Sequence, residues 1–229
     1  VNNYDIGHLF TSDDNGLASV GSVCVSTRKA SGATGSPSLI GDGFDIDYVA
    51  HEIGHQFGAG HSYNSSQCAS PGGSYEVGGG TTIMAYAGIC AASENIQPNS
   101  DPIFHAISFD QISNFLTSGA GSSCGVATPT GNTLPVITSM SANNLSIPVN
   151  TPFTLTATAT DANGDALTYN WEGWDVGPAG PSWTAAASTN NRPLFRTRVS
   201  KTTGSRTFPD PRVIAANYPN NAAPSAMDG

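Results

Sequence analysis

The chain has 229 residues, 11% charged residues, a formal net charge of −9, 26 glycines and 15 prolines. This length allows one or two domains, and the low charge with abundant Gly and Pro favours a loop-rich, β-leaning protein over a helical bundle. The acidic balance disfavours nucleic acids and anionic membranes as partners, because phosphate binding requires clustered Lys and Arg, and no apolar run is long enough to span a bilayer.

The predicted elements before His51 are a strand, a loop and the start of a helix. Residues 17–26 alternate partly between apolar and small side chains, which indicates an edge strand. Residues 30–43 are rich in Gly and Ser and are predicted to form a loop. A helix is predicted from Asp45, because acids in a first turn suit the positive end of the helix dipole. Its inward-packing residues would be Ile46, Val49, Ile53 and Phe57.

The eleven-residue run that begins at His51 has the pattern H-E-x-x-H-x-x-G-x-x-H. On a helix, His51 and His55 lie one turn apart on the same face, so both imidazoles can reach one metal ion. Gly58 can take the left-handed conformation that ends a helix, and the chain can then return His61 as a third ligand. Glu52 lies beside these ligands, where its carboxylate can take a proton from a metal-bound water. Three protein ligands with one open position are typical of catalytic zinc.

This pattern resembles that of the metzincin metallopeptidases, in which a methionine turn follows the zinc ligands. The segment Thr82-Ile83-Met84-Ala85-Tyr86 matches the second half of that signature. The resemblance implies that Met84 forms an apolar floor under the metal. It is closest to the reprolysin-like, or adamalysin-like, branch in its bacterial form, although Ser62 stands where reprolysins usually carry Asp.

Tyr86 stands two residues after Met84, where astacins and serralysins place a tyrosine that approaches the zinc. The resemblance therefore makes Tyr86 a candidate catalytic residue, either as a fifth ligand or as a hydrogen-bond donor to the transition state. A packed core tyrosine is the alternative. Both interpretations fit the sequence.

The resemblance covers about residues 1–126 and implies an α+β catalytic domain with a mixed sheet, an active-site helix and a C-terminal helix. Metzincin domains normally have further strands and helices before such a segment, so we expect this domain to be N-terminally incomplete. In metzincins the edge strand beside the cleft binds extended substrate by strand addition. The resemblance implies this role for residues 17–26.

Four cysteines without C-x-x-C spacing favour disulfides over a structural zinc site. Three pairings are possible from the sequence, and four free thiols are the alternative. The reprolysin resemblance implies the pairs Cys24–Cys124 and Cys68–Cys90. Because disulfides form in oxidising compartments, we expect a secreted or cell-surface protein.

A helix and a linker are predicted to end the catalytic domain. The tetrapeptide Ser108–Gln111 has the capping-box form and predicts the start of the helix. Gly119 would end it, and its apolar stripe would consist of Ile112, Phe115 and Leu116. Residues 127–134 are predicted to form a linker.

Residues 135–229 are predicted to form a second, all-β domain. Residues 145–149 and 153–160 alternate with period two and indicate strands, and residues 167–172 indicate another. This part resembles the immunoglobulin-like modules appended to secreted bacterial enzymes, with a Trp in the third strand. The sandwich is expected to be truncated or irregular over the Pro- and Asn-rich residues 177–229.

The turn between these strands has acidic and amide side chains at alternate positions, Asp161, Asn163 and Asp165. Such alternation is found in calcium loops, but the glutamate at the twelfth position of an EF-hand is absent. Calcium (Ca2+) binding is one interpretation of this turn, and a plain turn is the other.

Taken together, these patterns predict a secreted zinc (Zn2+) endopeptidase that hydrolyses peptide bonds by means of a zinc-bound water activated by Glu52. Its partners would be peptides or proteins, and the oligomeric state has no signal in the sequence. The alternative is a non-catalytic adhesion or binding fragment of a larger secreted protein. Glu52 favours the enzyme, because protease relatives that have become binding proteins often lose this base.

Overall fold

The computed structural model describes residues 3–68, 73–148, 151–174, 176–177 and 193–217. Within these residues the chain forms two three-stranded sheets, one in each half, and three α-helices. No helix in this described part has the length and hydrophobicity needed to cross a bilayer. The histidine motif lies in the first half, beside the first sheet.

The motif lies on a helical segment that changes its geometry at His51. Gly43–Ala50 is π-helical and continues directly into the α-helix α1, His51–Gln56. Asp45 lies in the first turn, as predicted. π-Helical turns are rare and occur frequently at functional sites. The helix packs on a small apolar core of Ala59, Ile83 and Met84, surrounded by Ile46, Ala50, Phe104 and Ile112.

The first sheet has the strand order β1-β3-β2, with β1 at Leu9–Thr11, β2 at Asn15–Ala18 and β3 at Gly32–Gly35. β3 pairs in parallel with β1 and antiparallel with β2, so the sheet is mixed, as predicted. β2 lies at an edge, as predicted, but residues 19–26 of the strand predicted over 17–26 have no strand structure, so that part of the prediction was wrong. The strand is shorter than predicted and is shifted towards the N-terminus.

The central strand β3 shows that the prediction of a loop over residues 30–43 was wrong at residues 32–35, whereas residues 36–41 have neither helix nor strand structure. Its sequence, Gly-Ala-Thr-Gly, has little intrinsic strand propensity. Helix α1 lies so close that a methyl group on Gly32 would collide with the side-chain amide of Gln56. Pairing with two neighbouring strands and this close approach determine β3, and neither is visible in the local sequence.

Helix α2, Ala106–Thr117, begins earlier than the capping box predicted. His105 is the N-cap residue, and its Nδ1 accepts a hydrogen bond from the N–H of Ile107 at 3.1 Å. Ser108 is therefore buried inside the first turn instead of capping it. The prediction was wrong because an imidazole nitrogen takes the place of the usual hydroxyl or carboxylate acceptor.

Two disulfides cross-link the first half, Cys24–Cys124 and Cys68–Cys90. These are the pairs that the reprolysin resemblance implied. The first joins the segment after β2 to the residue that follows α2 and a 3₁₀ turn, Ala120–Ser123. The second joins the loop after the third histidine to a residue that follows the Met84 segment, at a sequence separation of 22.

The second sheet is antiparallel with the order β4-β5-β6, and a short helix follows it. β5, Phe153–Thr160, coincides with the strand predicted there. Its partners are β4, Val136–Met140, and β6, Ser205–Phe208, and the helix α3 is Pro211–Asn217.

Two strand predictions in this half were wrong. Residues 145–148 have no strand structure, and β4 forms earlier in the chain. Pro148 offers no backbone N–H to a ladder, which disfavours a strand at that position. The strand predicted over residues 167–172 is reduced to one bridge, between Tyr169 and Lys201.

The described residues of the second half form a single sheet, and the second layer of a sandwich is not among them. Residues 178–192 and 218–229, which belong to the predicted sandwich, lie outside the described residues. The immunoglobulin-like assignment therefore stays a prediction.

Polar contacts join the two halves. The Glu172 carboxylate accepts a hydrogen bond from the Ala106 N–H at 2.6 Å, at the start of α2. The Thr81 hydroxyl donates to the carbonyl of Thr197 at 3.0 Å. The two halves therefore pack together, although the predicted linker 127–134 separates them in sequence.

Candidate metal centre and active site

Three histidine side chains converge on one point beside α1. Nε2 of His55 lies 3.1 Å from Nε2 of His51 and 3.1 Å from Nε2 of His61. The candidate ligand atoms of all three lie within 4.8 Å of one another. In a tetrahedral zinc site with Zn–N bonds of about 2.0–2.1 Å, ligand nitrogens lie about 3.3 Å apart. The spacing in this cluster therefore fits zinc, and the structure brings together the three predicted ligands.

Backbone carbonyls hold two of the three rings from behind. Nδ1 of His51 lies 2.7 Å from the carbonyl oxygen of Ile83, and Nδ1 of His55 lies 2.7 Å from that of Ala59. Because a carbonyl can only accept, each Nδ1 carries the proton and each Nε2 presents its lone pair to the centre. Burial lowers the pKa of His51 to about 3 and also lowers the pKa of His55. Both rings are therefore neutral, which is the form that binds metals.

Gly58 lets the chain turn back after α1. Its φ of 98° lies in the left-handed region, as predicted from the motif. A methyl group at this position would also lie 2.9 Å from Cβ of Phe115 on α2. Glycine therefore serves both the turn and the close approach of α2, and the turn brings His61 to the other two ligands.

Met84 lies directly under α1 and is fully buried. A methyl group on Gly54 would lie only 2.5 Å from Sδ of Met84, so the helix can approach this side chain only with glycine at position 54. Gly54 was missed in the sequence analysis. A signal was available, because glycine inside a helix costs about 1 kcal/mol relative to alanine and usually has a packing reason.

Glu52 is buried at the centre, and burial raises its pKa to about 7. Its Oε2 has no hydrogen-bond partner among the described residues. A methyl group on Gly16 of β2 would collide with the other oxygen, so the edge strand passes directly over this carboxylate. A buried carboxyl group with a pKa near neutrality suits general acid–base chemistry. The part played by Gly16 was also missed, since nothing local relates it to the motif.

The ring of Tyr86 forms part of the wall of the metal centre. Its centroid lies 4.6 Å from that of His61 and 5.6 Å from that of His51. It also packs on Tyr63 at 4.8 Å, and it is only partly buried. Within the described part of the chain its hydroxyl has no hydrogen-bond partner. The catalytic role of Tyr86 stays a prediction.

The predicted calcium loop forms a turn that its own side chains stabilise. One Asp161 oxygen accepts hydrogen bonds from the N–H groups of Asn163 at 2.7 Å and Asp165 at 3.2 Å. The side-chain oxygen of Asn163 accepts from the Thr133 N–H at 2.7 Å. These bonds suit a plain Asx-type turn, and calcium binding there stays a prediction.

A three-histidine centre on a helix, with a buried glutamate beside it, is the arrangement of the zinc-dependent metallopeptidases. The profile of the Metallo-peptidase family M12B Reprolysin-like matches residues 1–115, which is half of the chain. The chain therefore belongs to the reprolysin-like metallopeptidases. No curated protein matches it.

Proposed function

We propose that this protein is a secreted zinc endopeptidase. The observation that carries the proposal is the convergence of three histidines, with Nε2 of His55 3.1 Å from Nε2 of both His51 and His61, and with the carboxylate of Glu52 buried beside them. Membership of the reprolysin-like metallopeptidases supports the same chemistry. The alternative, a non-catalytic adhesion or binding fragment, does not explain why a carboxylate is buried at Glu52 beside the histidines.

The three histidines would hold zinc through Nε2, which leaves a position open for substrate. When bound, zinc polarises the scissile carbonyl and lowers the pKa of water towards about 7. Glu52 takes the proton from the attacking water and passes it to the leaving amine as the C–N bond breaks. A carboxyl pKa of about 7 suits both steps, since such a group can accept and return a proton near neutral pH.

The edge strand β2 is proposed to bind the substrate backbone. Among the described strands it pairs only with β3, so its outer side can pair with an extended peptide by strand addition. Gly16 lies in this strand against Glu52, so a peptide paired there would run close to the catalytic carboxylate. Tyr86 and the apolar floor at Met84, which corresponds to the methionine turn, complete the proposed site.

An extracellular location and the character of the second half are further parts of the proposal. The two disulfides support an oxidising compartment. The second half is proposed to be an immunoglobulin-like module, in which calcium binding at Asp161 is the alternative to a plain turn. If it binds calcium, calcium should raise the melting temperature of the wild-type protein and have no such effect on Asp161→Asn.

The proposed function is tested with Glu52→Gln, which removes the base and preserves its size. We expect the wild-type protein to bind one zinc ion and to cleave casein, and a chelator to abolish cleavage. Glu52→Gln is expected to retain zinc and to lose at least about 10²-fold in kcat/KM. Asp110→Asn, at an exposed position on α2, is the matched control and should leave kcat/KM unchanged.

Two outcomes would contradict the proposal in different ways. Near wild-type cleavage by Glu52→Gln would show that another group supplies the base. A zinc-loaded wild-type protein that cleaves no peptide would favour the binding fragment.

A further inference from the structure

We propose that Glu76 is a positioning residue for the metal centre, because its buried carboxylate clamps the segment that follows His61 to the segment that precedes Met84. The inference rests on the proposed function of the three-histidine centre. Glu76 lies outside the motif, on the loop that the Cys68–Cys90 disulfide closes.

The Glu76 carboxylate is 1% exposed and accepts hydrogen bonds from two segments. On one side, the Ser62 hydroxyl donates to Oε2 at 2.5 Å. On the other side, the Thr82 hydroxyl donates to the same oxygen at 2.6 Å, and the Thr81 N–H donates to Oε1 at 3.1 Å. One carboxylate therefore joins two segments that are 20 residues apart in sequence.

Both segments lead directly to the metal centre. Ser62 is the neighbour of the third histidine ligand, and its N–H donates to the carbonyl of Met84 at 3.0 Å. Ile83 follows Thr82, and its carbonyl oxygen lies 2.7 Å from Nδ1 of His51. A displacement at the clamp would therefore move both the third ligand and the group that orients the first.

A carboxylate suits this position because it only accepts hydrogen bonds and has room for about four of them. The two segments supply three donors to Glu76: the hydroxyls of Ser62 and Thr82 and the backbone N–H of Thr81. Hydrogen bonds to an ionised acceptor are roughly twice as strong as bonds between neutral groups. Residues that orient metal ligands typically account for about 10–100-fold in metal affinity.

Position 62 is coupled to this carboxylate. An aspartate at position 62 would place a second carboxylate against the buried Glu76, and two such groups in contact repel each other. Ser62 and Glu76 therefore form a pair in which the serine hydroxyl donates a hydrogen bond to the carboxylate.

The first test compares Ser62→Ala with Ser65→Ala. Ser65 is also buried and its hydroxyl also donates to a buried carboxylate, that of Glu94, but among the described residues neither side chain has a hydrogen bond to the Thr81–Thr82 segment. We expect Ser62→Ala to weaken zinc binding about tenfold, measured by competition with a chelator. Ser65→Ala should leave zinc affinity within about twofold, with a similar loss of melting temperature in the zinc-free protein.

The second test moves the charge. Ser62→Asp is expected to weaken zinc binding more than Ser62→Ala, because of the repulsion from Glu76. Adding Glu76→Gln to Ser62→Asp replaces this repulsion with an amide donor, and zinc affinity should recover by about tenfold relative to the single variant. If Ser62→Asp does not fold, Glu76→Gln and Ser62→Ala alone, measured against Ser65→Ala, decide the question.

Equal effects of Ser62→Ala and Ser65→Ala on zinc affinity would overturn the proposal, as would a double variant no better than Ser62→Asp. A wild-type protein that binds zinc but cleaves no peptide would refute the proposed function alone, since the zinc affinities would still decide the role of Glu76. A wild-type protein that binds no zinc would refute both.

Discussion

The two halves of the chain differ in what lies inside them. In the first half the buried side chains are largely polar or charged, including the carboxylates of Glu52, Glu76 and Glu94, and they surround a small apolar core. In the second half all five residues of β4 are exposed, and the described apolar side chains that are buried are Pro193, Phe208 and Val213. A metal centre requires polar groups in fixed positions, whereas a sheet needs mainly its backbone ladder.

This difference determines what should stabilise each half. A largely polar interior gains little from hydrophobic burial, so the first half should depend strongly on its cross-links. The second half has few buried side chains, so it should depend on its contacts with the first.

Removing a disulfide should have the largest effect. Cys24→Ser with Cys124→Ser opens a bridge that spans 100 residues, and the chain-entropy model gives a loss of about 4.7 kcal/mol in the free energy of unfolding. Cys68→Ser with Cys90→Ser opens a span of 22 residues and should cost about 3 kcal/mol. Urea unfolding of the zinc-free proteins measures both. If both double variants unfold with the same free energy as the wild type, the first half does not depend on its cross-links.

Tyr86→Phe should come next, if the hydroxyl donates to the transition state. Losing such a donor reduces kcat by about 10²–10³, or about 3–4 kcal/mol, and reduces kcat/KM equally. Tyr75→Phe is the control, because Tyr75 faces the second half, with its ring 5.7 Å from that of Trp174. It should leave kcat unchanged. An unchanged kcat in Tyr86→Phe would assign this residue to packing alone.

Gly54→Ala should destabilise the first half, although alanine is the better helix former by about 1 kcal/mol. The added methyl group meets Sδ of Met84, and overpacking of this kind costs about 1–3 kcal/mol. Gly60→Ala is the control, since its methyl group would come no closer than 3.8 Å, to Gln111. Thermal unfolding of both variants decides the matter. A stabilised Gly54→Ala would mean that the helix does not rest on Met84.

Glu172→Ala tests whether the second half supports the first. It removes the acceptor for the Ala106 N–H, so α2 should lose about 1–2 kcal/mol of stability, as when a capping residue is removed. Amide hydrogen exchange along α2 would report the loss in the half that was not mutated. Asp165→Ala, an exposed acid of the second half, should leave exchange in α2 unchanged. If amide hydrogen exchange along α2 is the same in both variants, the contact between the halves does not stabilise α2.

The same carboxyl group gives the smallest effect, a dependence on pH. Burial raises the pKa of Glu172 above its usual value of 4.5. The folded state therefore favours the protonated form, and the stability from this group is present below pH 4.5 and is lost as the pH rises through the raised pKa. Glu172→Gln keeps an acceptor but cannot ionise, so it should remove this part of the pH dependence of unfolding. If the free energy of unfolding depends on pH in the same way in wild type and variant, Glu172 does not contribute to the pH dependence.

The metal ligands were predictable because their signals are local. The helical repeat places His51 and His55 on the same face, and Gly58 permits the turn that brings His61 back to them. The partners of Gly54 and Glu76 were not predictable, since Met84 and Ser62 are distant from them in sequence and no periodicity connects them. For Gly54 the sequence offered only the signal of a glycine inside a helix.

The fold shows the same limit. β5 alternates clearly and was predicted correctly. β3 consists of small residues whose strand is determined by neighbouring strands and by α1, and α2 begins at a histidine whose capping role depends on its orientation.

The two carbonyls behind His51 and His55 have a consequence for metal exchange. They fix the orientations of two of the three imidazoles by protein contacts, so these two rings do not depend on the ion for their orientation. In this respect the centre differs from a zinc finger, in which metal binding and folding are a single event. We expect a chelator to leave a folded apoprotein that binds zinc again without refolding.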